Sequence, residues 1–122
     1  MIVRTCLLIS DDPDDHIEFS EALYEISDDV VLVTVSDIKK ALDLLGTRKC
    51  VPDFIFLNLG ISGFDPKEFL KVLDDDSYLS NVKVVAYGEC ESSLSARVSS
   101  ILDINASYSE LKEALKKVIG QR

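Results

Sequence analysis

The sequence is sparing with the residues that most often announce chemistry. Its three cysteines, Cys6, Cys50 and Cys90, are odd in number and far apart, so neither a disulfide framework nor a CxxC metal pair is indicated. A reducing, cytoplasmic compartment is the expectation. The single histidine, His16, lies beside Asp14, Asp15 and Glu18 and has no metal-ligating or phosphotransfer partner nearby, so it reads as a solvated residue. Glycine and proline are scattered singly: no linker divides the chain, and no Gly-rich phosphate loop follows any apolar run. Long hydrophobic stretches are missing too, since "MIVRTCLLIS" contains Arg4 and is too short for a signal peptide or a bilayer span. Bases are in deficit, with 13 against 22 acids and a net charge of -9. Such a surface repels phosphate, which argues against nucleic acid and anionic membranes and favours protein or cation partners.

What is present is a regular alternation. A chain of 122 residues is one domain by size, spanning 1–122, and buries roughly two-thirds of its unfolded surface without metal or disulfide staples. Short apolar runs recur at 6–9, 30–35, 54–57 and 82–87, without the alternation of a sheet with one wet face, which predicts strands covered on both sides. Between them, Phe19, Ala22, Leu23 and Ile26 fall at helical spacing, as do Ile38, Ala41, Leu42 and Leu45, and Leu111, Ala114, Leu115 and Val118. A further helix over 66–73 buries Phe69, Leu70 and Leu73. Asp12 before Pro13 and Asp65 before Pro66 read as helix caps. Ser107 and Glu110 form a capping-box pattern, and Gly46 and Gly120 stand where left-handed helix ends are expected. The serine-rich stretch 91–100 predicts a weak helix, 101–104 a fifth strand, and the acid run 74–76 a fraying helix end.

Five strands alternating with helices predict right-handed crossovers and an α/β parallel sheet covered on both faces. Ligands of such sheets bind beyond the C-terminal strand ends. That rule selects Ser10, Asp11 and Asp12, then Asn58, then Tyr87, Gly88 and Glu89, and finally Ile104 and Asn105. Elsewhere, "DDPDD" lacks the alternate ligands and distal Glu of a calcium loop. Tyr87 and Tyr108 read as half-buried aromatics. Cys90 lies near the pocket mouth, where Glu89 and Glu91 oppose a reactive thiolate.

The runs "LLISDDPDD" and "FIFLNLGISGFD" at this separation resemble the receiver domains of two-component response regulators, and the resemblance covers the whole chain. It implies a CheY-like, flavodoxin-like fold, a five-stranded parallel sheet of order 2-1-3-4-5 with five helices on its two faces. In that family a carboxylate attacks a phosphoryl group held by magnesium, because an anionic nucleophile approaching an anionic phosphate needs a cation between them. Aligned residue by residue, the phosphoacceptor falls on Asn58, whose amide forms no acyl phosphate. The acid pair falls on Ser10 and Asp11, with Asp12 just beyond it as a helix cap. The hydroxyl position falls on Gly88. The lysine position falls on Ile104 or, with a one-residue slip, on Asn105.

These replacements act in one direction. Asp11 alone leaves magnesium bound weakly or not at all, no cofactor is implied, and a cleft with fewer carboxylates is stable without metal. The expectation is a non-enzymatic pseudo-receiver in phosphorelay signalling that acts by protein-protein interaction. Its partner would be a histidine kinase or a downstream signalling protein, met on the face around Leu94 and Tyr108. The alternatives are phosphorylation at another acceptor, such as Asp11 or Asp12, and a small-ligand module of flavodoxin-like form.

Overall fold

The apolar runs pair side by side in a single sheet. The computed structural model describes residues 3–48, 51–61, 65–88, 98–102 and 108–120. Strands β1 (Arg4–Ile9), β2 (Val30–Val35), β3 (Phe54–Asn58), β4 (Lys83–Tyr87) and β5 (Val98–Leu102) are all parallel and lie in the order β2-β1-β3-β4-β5. This is the expected α/β architecture and strand order.

Two cores sit on opposite faces, as the two-residue side-chain period of a strand requires. On one, Cys6 and Leu8 of β1 and Phe54 and Phe56 of β3 pack with Phe19, Ala22 and Leu23 of helix α1 (Pro13–Ile26). Leu115 and Ile119 of the last helix, α4 (Tyr108–Gly120), complete that side. On the other, Leu7, Ile9, Ile55 and Leu57 meet Ala41 and Leu45 of α2 (Ile38–Gly46) and Phe69, Leu70 and Leu73 of α3 (Pro66–Asp74). Each of the Leu, Ile and Phe side chains among them contributes roughly 1.5–3 kcal/mol through removal from water. The expected helical stripes are therefore the faces that bury. Strand β2 departs from the expectation of burial on both sides, because it is the sheet's edge: Val31 is exposed and only Val35 is buried.

The helix starts are as read. Asp12 accepts from the Asp14 amide and Asp65 from the Lys67 amide, each ahead of a proline in the first turn. Other boundaries are corrected. Gly46 lies inside α2, Thr47 caps it in a right-handed conformation, and the left-handed residue is Arg48 at φ 60°. Gly120 is the last residue of α4. The acid run is ordered: Asp74 ends α3, Asp75 caps it, and Asp76 caps a 3₁₀ turn (Ser77–Leu79) while accepting both guanidinium arms of Arg48 at 2.7 and 3.0 Å.

The fifth strand begins earlier than expected. Val98 pairs with Val84 of β4 and, past an irregularity, Ser100, Ile101 and Leu102 pair with Val85, Ala86 and Tyr87. The serines at 99 and 100 thus join the sheet rather than a helix, because an exposed edge of β4 offers them backbone partners that a weak helix cannot match. The rest of the expected helix, 91–97, lies outside the described residues, as do Glu89, Cys90, Ile104, Asn105 and Ser107. Among the described residues there are four α-helices and one 3₁₀ turn, against the five helices expected. None of these helices is long and apolar enough to cross a membrane.

Candidate functional site

Register decides which residues meet at the strand ends. Ile9 pairs with Leu57, and Asn58 with Tyr87, so the next residue of β1, Ser10, stands beside Asn58 in one row across three strands. Both polar members are buried, Ser10 at 0% exposure and Asn58 at 7%. Buried polar groups must find hydrogen-bond partners or cost about 1–3 kcal/mol each.

The partner they find is Asp15. Its Oδ2 accepts from Ser10 Oγ at 2.7 Å, from the Tyr87 hydroxyl at 2.7 Å and from Asn58 Nδ2 at 3.3 Å. Ser10 Oγ accepts in turn from Asn58 Nδ2 at 3.1 Å and from the Asp12 amide at 3.1 Å. Asn58 Oδ1 accepts from the Gly60 amide at 2.8 Å. These contacts settle how the Asn58 amide is turned. Its NH₂ faces a hydroxyl oxygen and a carboxylate, its oxygen faces an amide hydrogen, and the flipped form would set like against like at both ends.

Asp15 was not among the candidates at the strand ends, and a signal for it existed. The buried stripe of α1, extended back four residues from Phe19, reaches Asp15, and helical side chains lean toward the N-terminus, which here points at the strand ends. Tyr87 is gripped by both residues of that pair: its ring lies 5.1 Å from the Phe19 ring and its hydroxyl meets Asp15. It is buried at 3% rather than half-buried as read. Burial, with the adjacent Asp15 carboxylate adding to it, raises the Tyr87 phenol well above its ordinary value, so it stays a protonated donor.

His16 also departs from its solvated reading. It is half-buried, and its Nε2 lies 2.8 Å from the Ser10 carbonyl oxygen. A carbonyl only accepts, so Nε2 carries the hydrogen. Asp11 and Asp12 are exposed at the rim, and Asp12 holds the cap of α1 as expected.

Gly88, at the hydroxyl position, is held by backbone rather than by chemistry. Its φ of 103° is costly for any residue with a Cβ, and a Cβ there would meet Asn58 Oδ1 at 3.4 Å. A Cβ at Gly60 would crowd the same oxygen at 3.2 Å. The two glycines let the loops close over Asn58.

No protein-family model matches the chain, and no curated protein matches it significantly. Solved structures do match. A two-component response regulator from Legionella pneumophila superposes with a TM-score of 0.80 at 23% identity, covering 98% of this chain and 99% of its own. The signal receiver domain of a DNA binding response regulator (merR) from Colwellia psychrerythraea 34H gives 0.77 at 20% identity, over 97% and 99%. The phosphorylated cyanobacterial phytochrome response regulator RcpA gives 0.75 at 23% identity, over 95% and 91%. At these identities the likeness is one of fold. The chain has the CheY-like fold of response regulator receiver domains, and the resemblance seen in the sequence holds at that level.

The family resemblance implies a magnesium ion at these strand ends, and the described residues do not fit one. Magnesium demands several oxygens in near-octahedral array. Here Asn58 Oδ1 is engaged by Gly60, Ser10 Oγ by two donors, and Asp15 Oδ2 by three. Among the described residues, no three carboxylate, imidazole or thiol groups are placed to hold a metal ion.

Proposed function

We propose that this chain is a pseudo-receiver: a receiver domain in two-component signalling that takes no phosphate at the usual position and acts by binding another protein. The observation that supports this most directly is the Asn58 amide at the end of β3, both ends of which are engaged by neighbours. An amide nitrogen bonded to a carboxylate and a hydroxyl is neither an anionic nucleophile nor a ligand for a cation. On this reading the cleft performs no phosphoryl transfer at Asn58. Its side chains hold the strand ends in one arrangement.

A domain of this kind transmits through its surface. The net charge of -9 favours a partner with a complementary basic face, a histidine kinase or a downstream signalling protein. The half-buried Tyr108, at the start of α4, belongs to the face that sequence reasoning selected; Leu94 lies outside the described residues.

Incubation with magnesium and acetyl phosphate, followed by intact mass measurement, tests the phosphorylation half. The mass stays unchanged, and a stable phosphoryl adduct would overturn the reading. Titration of the labelled domain with kinases and output proteins tests the binding half, with Tyr108→Ala weakening the interaction. Unaltered binding by that variant removes this face from the interface.

A further inference from the structure

Three neighbouring strand ends and the first turn of α1 converge on one oxygen. Ser10 from β1, Asn58 from β3 and Tyr87 from β4 all donate to Asp15 Oδ2. The expectation of a cleft emptied of charge except for Asp11 is thereby corrected, because a second carboxylate has folded in from the helix. It is held as an external anion would be, by donors that converge from separate elements.

We propose that Asp15 is the cleft's built-in carboxylate ligand: it closes the strand-end site to metal ions and phosphoryl groups, and Tyr87, braced by Phe19, is the latch that keeps it there. The closure does not rest on position 58 alone, because Ser10 and Tyr87 supply two of the three donors. A phosphoryl group entering the cleft meets a fixed negative charge, and a cation entering it finds the nearest carboxylate oxygen already occupied by three donors. Restoring an acid at position 58 therefore leaves Asp15 in the cleft, still held by Ser10 and Tyr87. It replaces the Nδ2 donor, 3.3 Å from Asp15 Oδ2, by a carboxylate oxygen and creates a repelling pair. Opening the site requires that Asp15 leave as well.

The inference depends on the preceding reading only for which cleft is meant, and the two fail separately. Manganese titration, followed by calorimetry and by paramagnetic broadening of the Tyr87 resonances, is run on the wild type, Asn58→Asp, Asp15→Ala and the double variant. Asp15→Asn combined with Asn58→Asp retains the shape of the side chain, should the alanine variants fail to fold. The expected result is that the double variants bind manganese about tenfold tighter than Asn58→Asp alone, the scale set by the charged hydrogen bonds that hold Asp15. Equal affinity of Asn58→Asp and the double variants would overturn the inference, as would a folded double variant with no gain. Either of those results leaves the pseudo-receiver reading standing; a wild-type phosphoryl adduct on the exposed Asp11 or Asp12 removes that reading and not this one, and an adduct on a buried cleft residue removes both.

Discussion

The hydroxyl of Tyr87 donates to Asp15 at 2.7 Å while its ring packs against Phe19, one turn further along α1. One aromatic side chain thus ties a helix to the end of β4 by both its apolar and its polar part. Tyr87→Phe keeps the ring and removes only the hydrogen bond. A bond to a charged acceptor contributes roughly 1.5–3 kcal/mol, and the partial exposure of Asp15 points to the lower end. Urea unfolding is expected to show a loss of about 1.5 kcal/mol. In an Asp15→Ala background the same change should cost about 1 kcal/mol less, since the bond is already gone. Additive effects in the double-mutant cycle would mean that the contact carries no coupling.

Asn58 is more than the absence of an aspartate, because its NH₂ serves two acceptors at once. Asn58→Asp removes those donors and sets two carboxylates together in a site that is 7% exposed. At about pH 7 the expected cost is roughly 3 kcal/mol. The penalty has a defined pH dependence. Like charges at this distance raise the proton affinity of the pair in the folded variant above that of free carboxyls, so the folded form holds a proton that the unfolded form has lost. Stability of the variant then falls as pH rises from about 4, where its gap to the wild type is smallest. Asn58→Ala, which adds no charge, should show a loss that does not vary in this window. Parallel pH curves for Asn58→Asp and Asn58→Ala would rule out the pairing with Asp15.

The first four strands and the four α-helices were legible because each carries a short continuous apolar run or a helical stripe: "CLLI", "FIFL", and Phe19 with Ala22 and Leu23. Asn58 and Ser10 were legible as site residues because both end an apolar run in a polar side chain. Asp15 was missed, since in sequence it is one acid among Asp11, Asp12, Asp14 and Glu18, and the helical spacing from Phe19 that marks its face does not show what it meets there. Only the register of β1, β3 and β4 brings three donors to the place where it points. Val98 to Ser100 failed for a similar reason. Serine-rich sequence favours no structure strongly, and the pairing with β4 that decides it is a long-range contact.

Arg48 occupies the left-handed position that sequence reasoning gave to Gly46, and it holds Asp76 with two bonds while stacking 4.4 Å over the Tyr78 ring. That side chain offsets a backbone cost of roughly 1–2 kcal/mol for a residue with a Cβ at positive φ. The hydrogen bonds also hold the Asp76 carboxyl below its ordinary range. Replacing Arg48 removes the bonds in every variant but the strain only in one. Arg48→Ala is therefore expected to be less stable than Arg48→Gly by about 1 kcal/mol, in urea midpoints measured side by side. If alanine is the more stable of the two, the left-handed conformation is not retained in the variants.

Alkaline stability should be governed by buried protons. Burial first, then the negative charge of Asp53, pushes the Cys6 thiol from 9.0 up to about 12. Below its ordinary value both folded and unfolded chains hold this proton. Above it the unfolded chain releases the proton and the folded chain does not, until pH passes about 12. Stability contributed by the thiol is thus complete below 9.0 and lost progressively as pH rises to about 12. Tyr87, raised by burial in the same direction, adds to the fall at its upper end. Cys6→Ala removes the thiol at the cost of a small cavity, so it should be less stable than the wild type near pH 8, by about 1 kcal/mol. By about pH 10 that deficit should shrink by about 1 kcal/mol, because only the wild type has a thiol to ionise on unfolding. Urea unfolding of the two proteins at both pH values measures the difference directly. A deficit that stays constant would show that the Cys6 proton is as easily lost from the folded core as from the open chain.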